Sequence, residues 1–173
     1  MITGTPFLSA EQIQEKVIEL ADKISRDYAG KEVIAVGILK GSFMFFADLT
    51  RNLDIPVFID FVISSSYTRT SSTGEVSIHY DIREAIEGKN VLLIDDIIDT
   101  GISLNHIREK ILSRRPASLK ICVLLDKKAR RVVDVPVDYT GFEIPDKFVV
   151  GYGLDYNNNF RNLPYISTFK KES

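Results

Sequence analysis

The sequence predicts an α/β fold in which a mainly parallel central sheet is flanked by helices. Short aliphatic runs at 33–39, 91–94 and 119–125 are typical of strands that are buried on both faces. Amphipathic segments with helical spacing alternate with these runs, which implies right-handed crossovers between parallel strands. A chain of 173 residues without repeats or linkers corresponds to one domain, so we expect residues 1–173 to fold as a single unit.

The first half of the chain contains clear start and stop signals. Ser9 and Gln12 form a capping-box signature that opens an amphipathic helix, and Gly30 marks the end of that helix. The elements predicted next are a strand at 33–39, a turn at 40–42, a short helix at 43–49 and a strand at 57–63. Residues 64–75 are rich in serine and threonine, so we expect a flexible lid loop there, before a returning strand at 76–80.

The most informative segment runs from the strand at 91–94 into three acids, Asp95, Asp96 and Asp99, and then into a Thr-Gly turn. A helix is predicted to follow at about 103–114. A strand, a turn and a helix in this order direct backbone N–H groups and a helix N-terminus at one point, which suits a phosphate. Because carboxylates would repel a bare phosphate, the three acids indicate that the site also binds another group. Sugar hydroxyls, a metal ion or a transferred proton would each provide one.

Two other interpretations of this acidic segment were open. Acids often follow a buried strand where the chain reaches the surface, and Asp-Thr-Gly is common in turns. The spacing of Asp95, Asp96 and Asp99 also matches the aspartate-rich box of isoprenoid diphosphate synthases. Those acids lie on a long helix, whereas here a strand-like Val-Leu-Leu-Ile precedes the acids and a helix-breaking Thr-Gly follows them. A ligand site at a strand end is therefore favoured.

Other parts of the chain should lie near these acids. The carboxyl ends of parallel strands meet at one edge of an α/β sheet, and ligands bind at that edge. This rule places Lys40, residues 95–103 and residues 126–128 on the same rim. His79 and His106 lack the spacing of metal ligands and are expected to be structural.

Composition excludes several classes of protein. A formal net charge of −2, with 45% hydrophobic and 27% charged residues, is typical of a soluble globular protein and predicts no nucleic-acid and no membrane partner. The first residues lack the basic and apolar regions of a secretory signal, so we expect a cytoplasmic protein. The single cysteine, Cys122, lies in an apolar run and is expected to be a buried thiol.

The chain resembles the type I phosphoribosyltransferases, and most closely those that act on hypoxanthine and guanine. The matching segments occur in the family's order along nearly the whole chain. They are residues 39–42, the pair Ser66-Tyr67, residues 91–103, 125–128 and 145–156, and Arg161. The resemblance implies the type I phosphoribosyltransferase fold, with a small purine-recognition hood to which residues of about 145–165 contribute and a flexible lid loop at about 64–75.

The reaction that the resemblance implies transfers a phosphoribosyl group from phosphoribosyl diphosphate to a purine nitrogen. Asp95 and Asp96 would accept hydrogen bonds from the ribose 2′- and 3′-hydroxyls, and Asp99 would be the catalytic general base beside the purine imidazole ring. N–H groups, hydroxyls and a helix dipole would bind the 5′-phosphate. The residues implied for that phosphate site are Asp99, Thr100, Gly101, Ile102 and Ser103.

The leaving diphosphate requires donors and positive charge. In the family, the residues corresponding to Lys40 and Gly41 offer donors in a turn, and the peptide bond before this lysine can be cis. Arg161 would offer a bidentate guanidinium to phosphate oxygens. Closure of the loop that carries Ser66 and Tyr67 would keep water away from the reactive carbon.

Purine recognition is implied for three residues. Phe148 would stack on the base, Val149 would contact the base edge through its backbone, and Lys127 would donate to the purine 6-oxygen. An ammonium group has donors only, so it favours the 6-oxopurines hypoxanthine and guanine over the 6-amino purine adenine.

The resemblance also implies a cofactor and an assembly. Mg²⁺ would bridge the diphosphate and ribose oxygens, with Asp155 as the leading protein ligand and Asp95 and Asp96 as further candidates. The subunits are expected to form a homodimer or a homotetramer.

Two other functions share parts of this sequence pattern. A catalytically silent regulator that binds phosphoribosyl diphosphate would keep the donor site and lose the base or the lid, whereas both Asp99 and the polar loop are present. A signalling receiver domain shares the pattern Leu-Leu-Ile-Asp-Asp, but it carries that pattern near the start of the chain and without the Asp-Thr-Gly sequel.

Overall fold

The structure is a computed structural model that describes residues 6–66 and 76–170. Its helices are α1 (Ala10–Asp27), α2 (Phe43–Arg51) and α3 (Ile102–Ser113), and a short 3-10 helix spans Lys128–Arg130. Its strands are β1 (Val33–Leu39), β2 (Val57–Ser66), β3 (Val76–Tyr80), β4 (Asn90–Ile98), β5 (Ser118–Asp126), β6 (Tyr139–Glu143), β7 (Val149–Val150) and β8 (Ser167–Thr168).

Six of these strands form the central sheet in the order β3-β2-β1-β4-β5-β6. All neighbouring pairs are parallel except β2 and β3, which are antiparallel. The predicted α/β fold with a mainly parallel sheet is therefore confirmed. Strands β7 and β8 form a separate antiparallel pair, and Ile166 beside β8 bonds to Leu8 before α1. No helix in the two described ranges is long and apolar enough to cross a membrane.

Hydrophobic packing covers both faces of the sheet, because successive side chains of a strand point to opposite faces. Leu92 and Ile94 of β4 belong to a core formed with α1 and α2. Val91 and Leu93 belong to a second core, formed with α3. The first cluster combines aliphatic and aromatic side chains with Cys122, and the second is entirely aliphatic. Their nearly complete burial explains the continuous apolar runs in the sequence.

The first helix begins where its capping residues predict. Ser9 Oγ accepts a hydrogen bond from the Gln12 N–H at 3.2 Å, and Gln12 Oε1 accepts one from the Ser9 N–H at 2.9 Å. Its buried face consists of Ile13, Val17, Leu20, Ala21 and Ile24, which recur at helical spacing.

Several boundaries differ from the sequence-based expectation. β4 continues through the acids to Ile98, so Asp95 and Asp96 lie inside a strand, and Asp95 is in register with Val123 of β5. β2 continues to Ser66, so residues 64–66 of the predicted lid loop are strand, while 67–75 lie outside the described residues. Strand β6 was not predicted. Hydrogen bonding to a neighbouring strand extends each strand into residues of low strand propensity.

Asp60 is a buried acid in the middle of β2 with a structural role. The residue is 7% exposed. Its Oδ2 accepts hydrogen bonds from the N–H groups of Arg83 and Glu84 at 2.7 and 2.8 Å, and its Oδ1 accepts one from Phe61 N–H at 2.7 Å. These bonds attach the connection between β3 and β4 to the sheet.

We expect Asp60→Ala to destabilise the fold by about 2–3 kcal/mol, because several backbone N–H groups lose their acceptor. Chemical denaturation of the ligand-free protein would measure the loss. Asp54→Ala is a suitable control, since Asp54 is exposed. Equal stability of the two variants would contradict the assigned role of Asp60.

Candidate active site

A cavity of about 370 Å³ lies at the carboxyl ends of β1 and β4. Nine residues that the sequence singled out line it, drawn from several separate segments of the chain: Gly41, Asp95, Asp96, Asp99, Lys127, Phe148, Val149, Asp155 and Arg161. Four apolar residues that the sequence did not single out complete the lining: Ile38, Leu39, Ile97 and Leu154. Ile38, Leu39 and Ile97 belong to strands that resemble ordinary core strands, and Leu154 is a lone leucine between Gly153 and Asp155, so periodicity gives no signal that these residues face a ligand site.

Asp95 and Asp96 form a carboxylate pair at the floor of this cavity. Asp96 is 8% exposed, and its N–H donates to Asp95 Oδ1 at 3.0 Å. Burial raises the pKa of Asp95 well above its ordinary value, and the neighbouring charge of Asp96 raises it further. Burial also raises the pKa of Asp96, although hydrogen bonds and the Arg161 guanidinium oppose that effect. The pair is therefore poised to accept hydrogen-bond donors or positive charge from a ligand.

Two glycines allow the backbone to approach this pair closely. The turn after β1 begins with a cis peptide bond between Leu39 and Lys40. A Cβ atom on Gly41 would lie 2.2 Å from Asp96 Oδ2, so only glycine fits there. Gly153, at φ +97°, lies against the same turn, where a Cβ would be 2.0 Å from the Gly41 carbonyl oxygen. The sequence motif suggested Gly41, whereas the packing of Gly153 on it is a result of the tertiary structure.

The turn between β4 and α3 is the segment for which the sequence predicts phosphate binding, and it is called the predicted phosphate loop below. Gly101 is the N-cap of α3 and has φ +85°. The carbonyl oxygen of Thr100 accepts hydrogen bonds from Val132 and Val133 N–H at 2.9 and 3.0 Å, which ties the loop to the segment after β5. The first N–H groups of a helix have no intrahelical partner, so this end of α3 can bind an anion.

Only some of the other predicted site residues line the cavity. Asp99 of the predicted phosphate loop lines the cavity, whereas Lys40, Thr100, Gly101, Ile102 and Ser103 lie outside its lining. For the lid, the structure shows only that the backbone of Ser66 lies in β2, and Tyr67 lies outside the described residues. The lid therefore stays a prediction.

Charged residues around the rim are paired with one another. Arg161 Nη2 lies 2.7 Å from Asp155 Oδ1, and Arg161 Nη1 donates to the Gly153 carbonyl at 2.6 Å. Asp155 Oδ2 accepts a hydrogen bond from Asn158 N–H at 2.7 Å. Arg161 and Asp155 thus hold the segment 153–161 in place and also line the cavity, where a ligand can compete for their ion pair.

Asp99 has a partner that the sequence did not indicate. Arg130 Nε donates to Asp99 Oδ1 at 2.8 Å, and Arg130 Nη1 lies 3.5 Å from Asp146 Oδ2. Arginine-rich turns after a strand are usually solvated, so the sequence gives no signal for this pair.

The opposite wall of the cavity combines a buried cation with an exposed aromatic ring. Lys127 is 7% exposed, while the ring of Phe148 is 47% exposed. The rings of Tyr156 and Phe169 contact Phe148 at centroid distances of 5.9 and 6.1 Å. An exposed ring with aromatic support is suited to stacking on a flat ligand.

Protein atoms alone do not form a metal cage in this region. Among residues 6–66 and 76–170, no group of three or more His, Cys, Asp or Glu side chains is arranged to hold a metal ion. The acids that face the cavity nevertheless supply carboxylate oxygens, the donor type that Mg²⁺ prefers. Mg²⁺ commonly binds through one or two carboxylates together with substrate phosphates and water, and this donor set fits that mode.

The fold and the cavity define an α/β protein with an acidic ligand site at the carboxyl edge of a parallel sheet. A family model described as a phosphoribosyl transferase domain matches residues 7–157. The chain belongs to the phosphoribosyltransferase family.

Three relatives illustrate the similarity. The chain is 48% identical to a hypoxanthine-guanine phosphoribosyltransferase of Streptococcus pneumoniae, over 96% of this chain and 93% of that protein. It is 49% identical to a hypoxanthine phosphoribosyltransferase of Salmonella typhimurium, over 90% of this chain and 89% of that protein. The crystal structure of a hypoxanthine-guanine phosphoribosyltransferase from Bacillus anthracis superposes with a TM-score of 0.93 at 46% identity, covering 98% of this chain and 100% of the other.

The raised pKa of Asp95 predicts that this acid destabilises the ligand-free fold at neutral pH. Between the ordinary carboxyl pKa and the raised one, the folded state holds a proton that the unfolded state releases, so stability falls as pH rises through that interval. We expect Asp95→Asn to stabilise the protein near pH 7.5 by about 1–2 kcal/mol, or roughly 2–8 °C in Tm.

The gain should shrink as the pH falls below the ordinary carboxyl pKa of about 3.9, where Asp95 is protonated in both the folded and the unfolded state. Thermal unfolding of the metal-free protein at several pH values measures this gain in stability, and the exposed Asp54→Asn is the control. An Asp95→Asn variant that is no more stable than wild type at pH 7.5 would refute the assignment.

Proposed function

We propose that this chain is a purine salvage enzyme. It transfers the 5-phosphoribosyl group from phosphoribosyl diphosphate to hypoxanthine or guanine and gives IMP or GMP and diphosphate. The observation that carries the proposal is the single cavity that joins the acid pair of β4 to Lys127 and Phe148. A sugar site and a base site that share one cavity suit a reaction in which a sugar carbon is transferred to a base.

On the donor side, the acid pair would accept hydrogen bonds from the two ribose hydroxyls. Two adjacent hydroxyls present two donors, and Asp95 and Asp96 present acceptors in a poorly solvated place. Their negative charge would also favour the positive charge that develops on the sugar ring as the bond to diphosphate breaks. The 5′-phosphate would bind at residues 99–103, where the N-terminus of α3 offers N–H groups.

The leaving diphosphate would meet Lys40, Gly41 and Arg161. The turn at Gly41 lies beside the acid pair, and Arg161 faces the same cavity. Diphosphate oxygens would replace Asp155 as the partner of the Arg161 guanidinium, which suits bidentate binding. The released Asp155 carboxylate would then be free to bind a cation.

Mg²⁺ fits the donor set of this site, with Asp155 as the leading ligand and Asp95 and Asp96 as further candidates. When bound, it would neutralise charge on the diphosphate and help the bond to the sugar carbon to break. The lid that carries Ser66 and Tyr67 would exclude water from that carbon.

On the acceptor side, Phe148 would stack on the purine, the backbone of Val149 would contact its edge and Lys127 would donate to the 6-oxygen. The nearly complete burial of Lys127 supports this role, because a buried ammonium that loses its acceptor is costly. Asp99 would remove the proton from the imidazole ring as the new bond between nitrogen and carbon forms.

Assembly and location follow from the same proposal. We expect a homodimer or a homotetramer in the cytoplasm, with phosphoribosyl diphosphate and 6-oxopurines as the binding partners.

Turnover with different purines tests the proposed function. We expect diphosphate release with hypoxanthine or guanine in the presence of Mg²⁺ and phosphoribosyl diphosphate. Adenine should react roughly 10⁴–10⁵-fold less efficiently, because it leaves the Lys127 ammonium without an acceptor. Lys127→Gln should narrow that ratio, since an amide can both donate and accept. Donor binding without turnover of any purine would indicate a silent regulator. Comparable turnover of adenine would refute the assignment of Lys127 as the residue that recognises the purine 6-oxygen.

The base role of Asp99 is tested by Asp99→Asn. Turnover should fall by about 10²–10⁴-fold, the usual contribution of a positioned general base. Affinity for phosphoribosyl diphosphate should change little, and steady-state kinetics separate the two effects. Asp134→Asn, at an exposed position, is the control. Near-normal turnover of Asp99→Asn would remove the base assignment.

A further inference from the structure

The proposed base, Asp99, lies at a junction of three segments that are distant in sequence. It follows β4, its partner Arg130 lies in the 3-10 helix after β5, and Arg130 also approaches Asp146 at 3.5 Å. Asp146 comes two residues before the purine-stacking residue Phe148. The Arg130 guanidinium therefore joins the turn that carries Asp99 to the segment that would bind the purine.

The geometry of this pair leaves one carboxylate oxygen for chemistry. Arg130 Nε–H donates to Oδ1 of Asp99 at 2.8 Å, and a carboxylate that is bonded at one oxygen loses rotational freedom. The second oxygen, Oδ2, can then accept a proton from a purine held between Lys127 and Phe148, which line the same cavity as Asp99.

The neighbouring arginine, Arg131, contacts the backbone of Asp99 and not its side chain. Arg131 Nη2 lies 2.5 Å from the buried Asp126 Oδ1, and its Nη1 donates to the Asp99 carbonyl oxygen at 3.5 Å. Arg131 thus helps to fix where Asp99 lies, and Arg130 determines how its carboxylate is oriented.

The ion pair between Arg130 and Asp99 is too exposed to stabilise the fold strongly. About half of the Arg130 side chain and 41% of the Asp99 side chain are exposed, and exposed ion pairs contribute little to stability. Loss of Arg130 should therefore leave the fold intact. Orientation of a catalytic group, in contrast, has a large effect on rate even when its energetic cost is small.

We propose that Arg130 is a positioning residue that orients the Asp99 carboxylate toward the purine and, through Asp146, couples this orientation to the purine-binding segment. The inference rests on the proposed base role of Asp99. Arg130 itself contacts neither the transferred proton nor the sugar.

A double-mutant cycle tests the inference. Arg130→Ala should lower kcat with hypoxanthine or guanine by roughly 10- to 100-fold, the size of loss expected from a misplaced catalytic group. The KM for phosphoribosyl diphosphate and the Tm should stay near the wild-type values. Arg130→Lys, which keeps the charge and one donor, should recover part of the rate. Asp146→Asn should cause a smaller loss, because the bond from Arg130 to Asp99 remains.

The decisive comparison is made in the Asp99→Asn background. If Arg130 acts through Asp99, Arg130→Ala lowers the rate of Asp99→Asn no further. An equal loss in both backgrounds, or a rise in the KM for the donor, would overturn the inference and indicate direct contact with diphosphate. Wild-type activity of Arg130→Ala would also overturn it.

A control and a separate readout complete the design. Arg115→Ala removes another exposed arginine with an acidic partner, Glu87, at the opposite edge of the sheet, and should leave kcat unchanged. Near-normal turnover of Asp99→Asn alone would instead reveal a failure of the base assignment, and with it of this inference. Inactive wild-type protein would reveal a failure of the proposed function as a whole.

Discussion

The burial of two adjacent carboxylates at the end of β4 is the constraint on which the rest of the site depends. Asp95 and Asp96 lie in a strand whose neighbours on both sides are also strands, and Asp96 is buried while Asp95 is partly exposed. Burial raises the pKa of both. Such a pair is unfavourable in the empty protein and favourable when a ligand brings hydroxyl donors or a cation. The fold thus maintains a local instability that ligand binding removes.

The surroundings of the acid pair follow from that constraint. The turn after β1 must approach Asp96 so closely that only Gly41 fits, and Gly153 must approach the turn just as closely. Charges farther out on the rim are compensated by partners: Arg161 pairs with Asp155, and Arg130 with Asp99. These outer pairs are partly exposed and easily exchanged, whereas the inner acids lack a basic partner at hydrogen-bond distance among the described residues. Under the proposed function, an anionic donor with its cation would displace the outer pairs and reach the inner one.

Much of the fold was predictable because its signals are local. A capping box, four apolar runs and a Gly-terminated helix identified α1 and the central strands within a few residues. The ends of strands were less predictable, because β4 and β2 continue through Asp, Ser and Ile by bonding to neighbouring strands. Strand β6 was not predicted because its sequence, Tyr-Thr-Gly-Phe-Glu, includes a residue of low strand propensity. That residue, Gly141, is required by close contact with Leu124 of β5.

The sequence by itself determined the alternation of strands and helices and the acidic end of β4, since these depend on periodicity and on a contiguous motif. The other polar residues of the cavity were implied only by the resemblance to a family. Only the tertiary structure decided which charges are paired and which backbones touch. Arg130 meets Asp99 across 31 positions of the chain, and Gly153 meets Gly41 across a still longer separation. Contacts of this kind arise when parallel strands bring their carboxyl ends to one edge, and no local pattern in the chain records them.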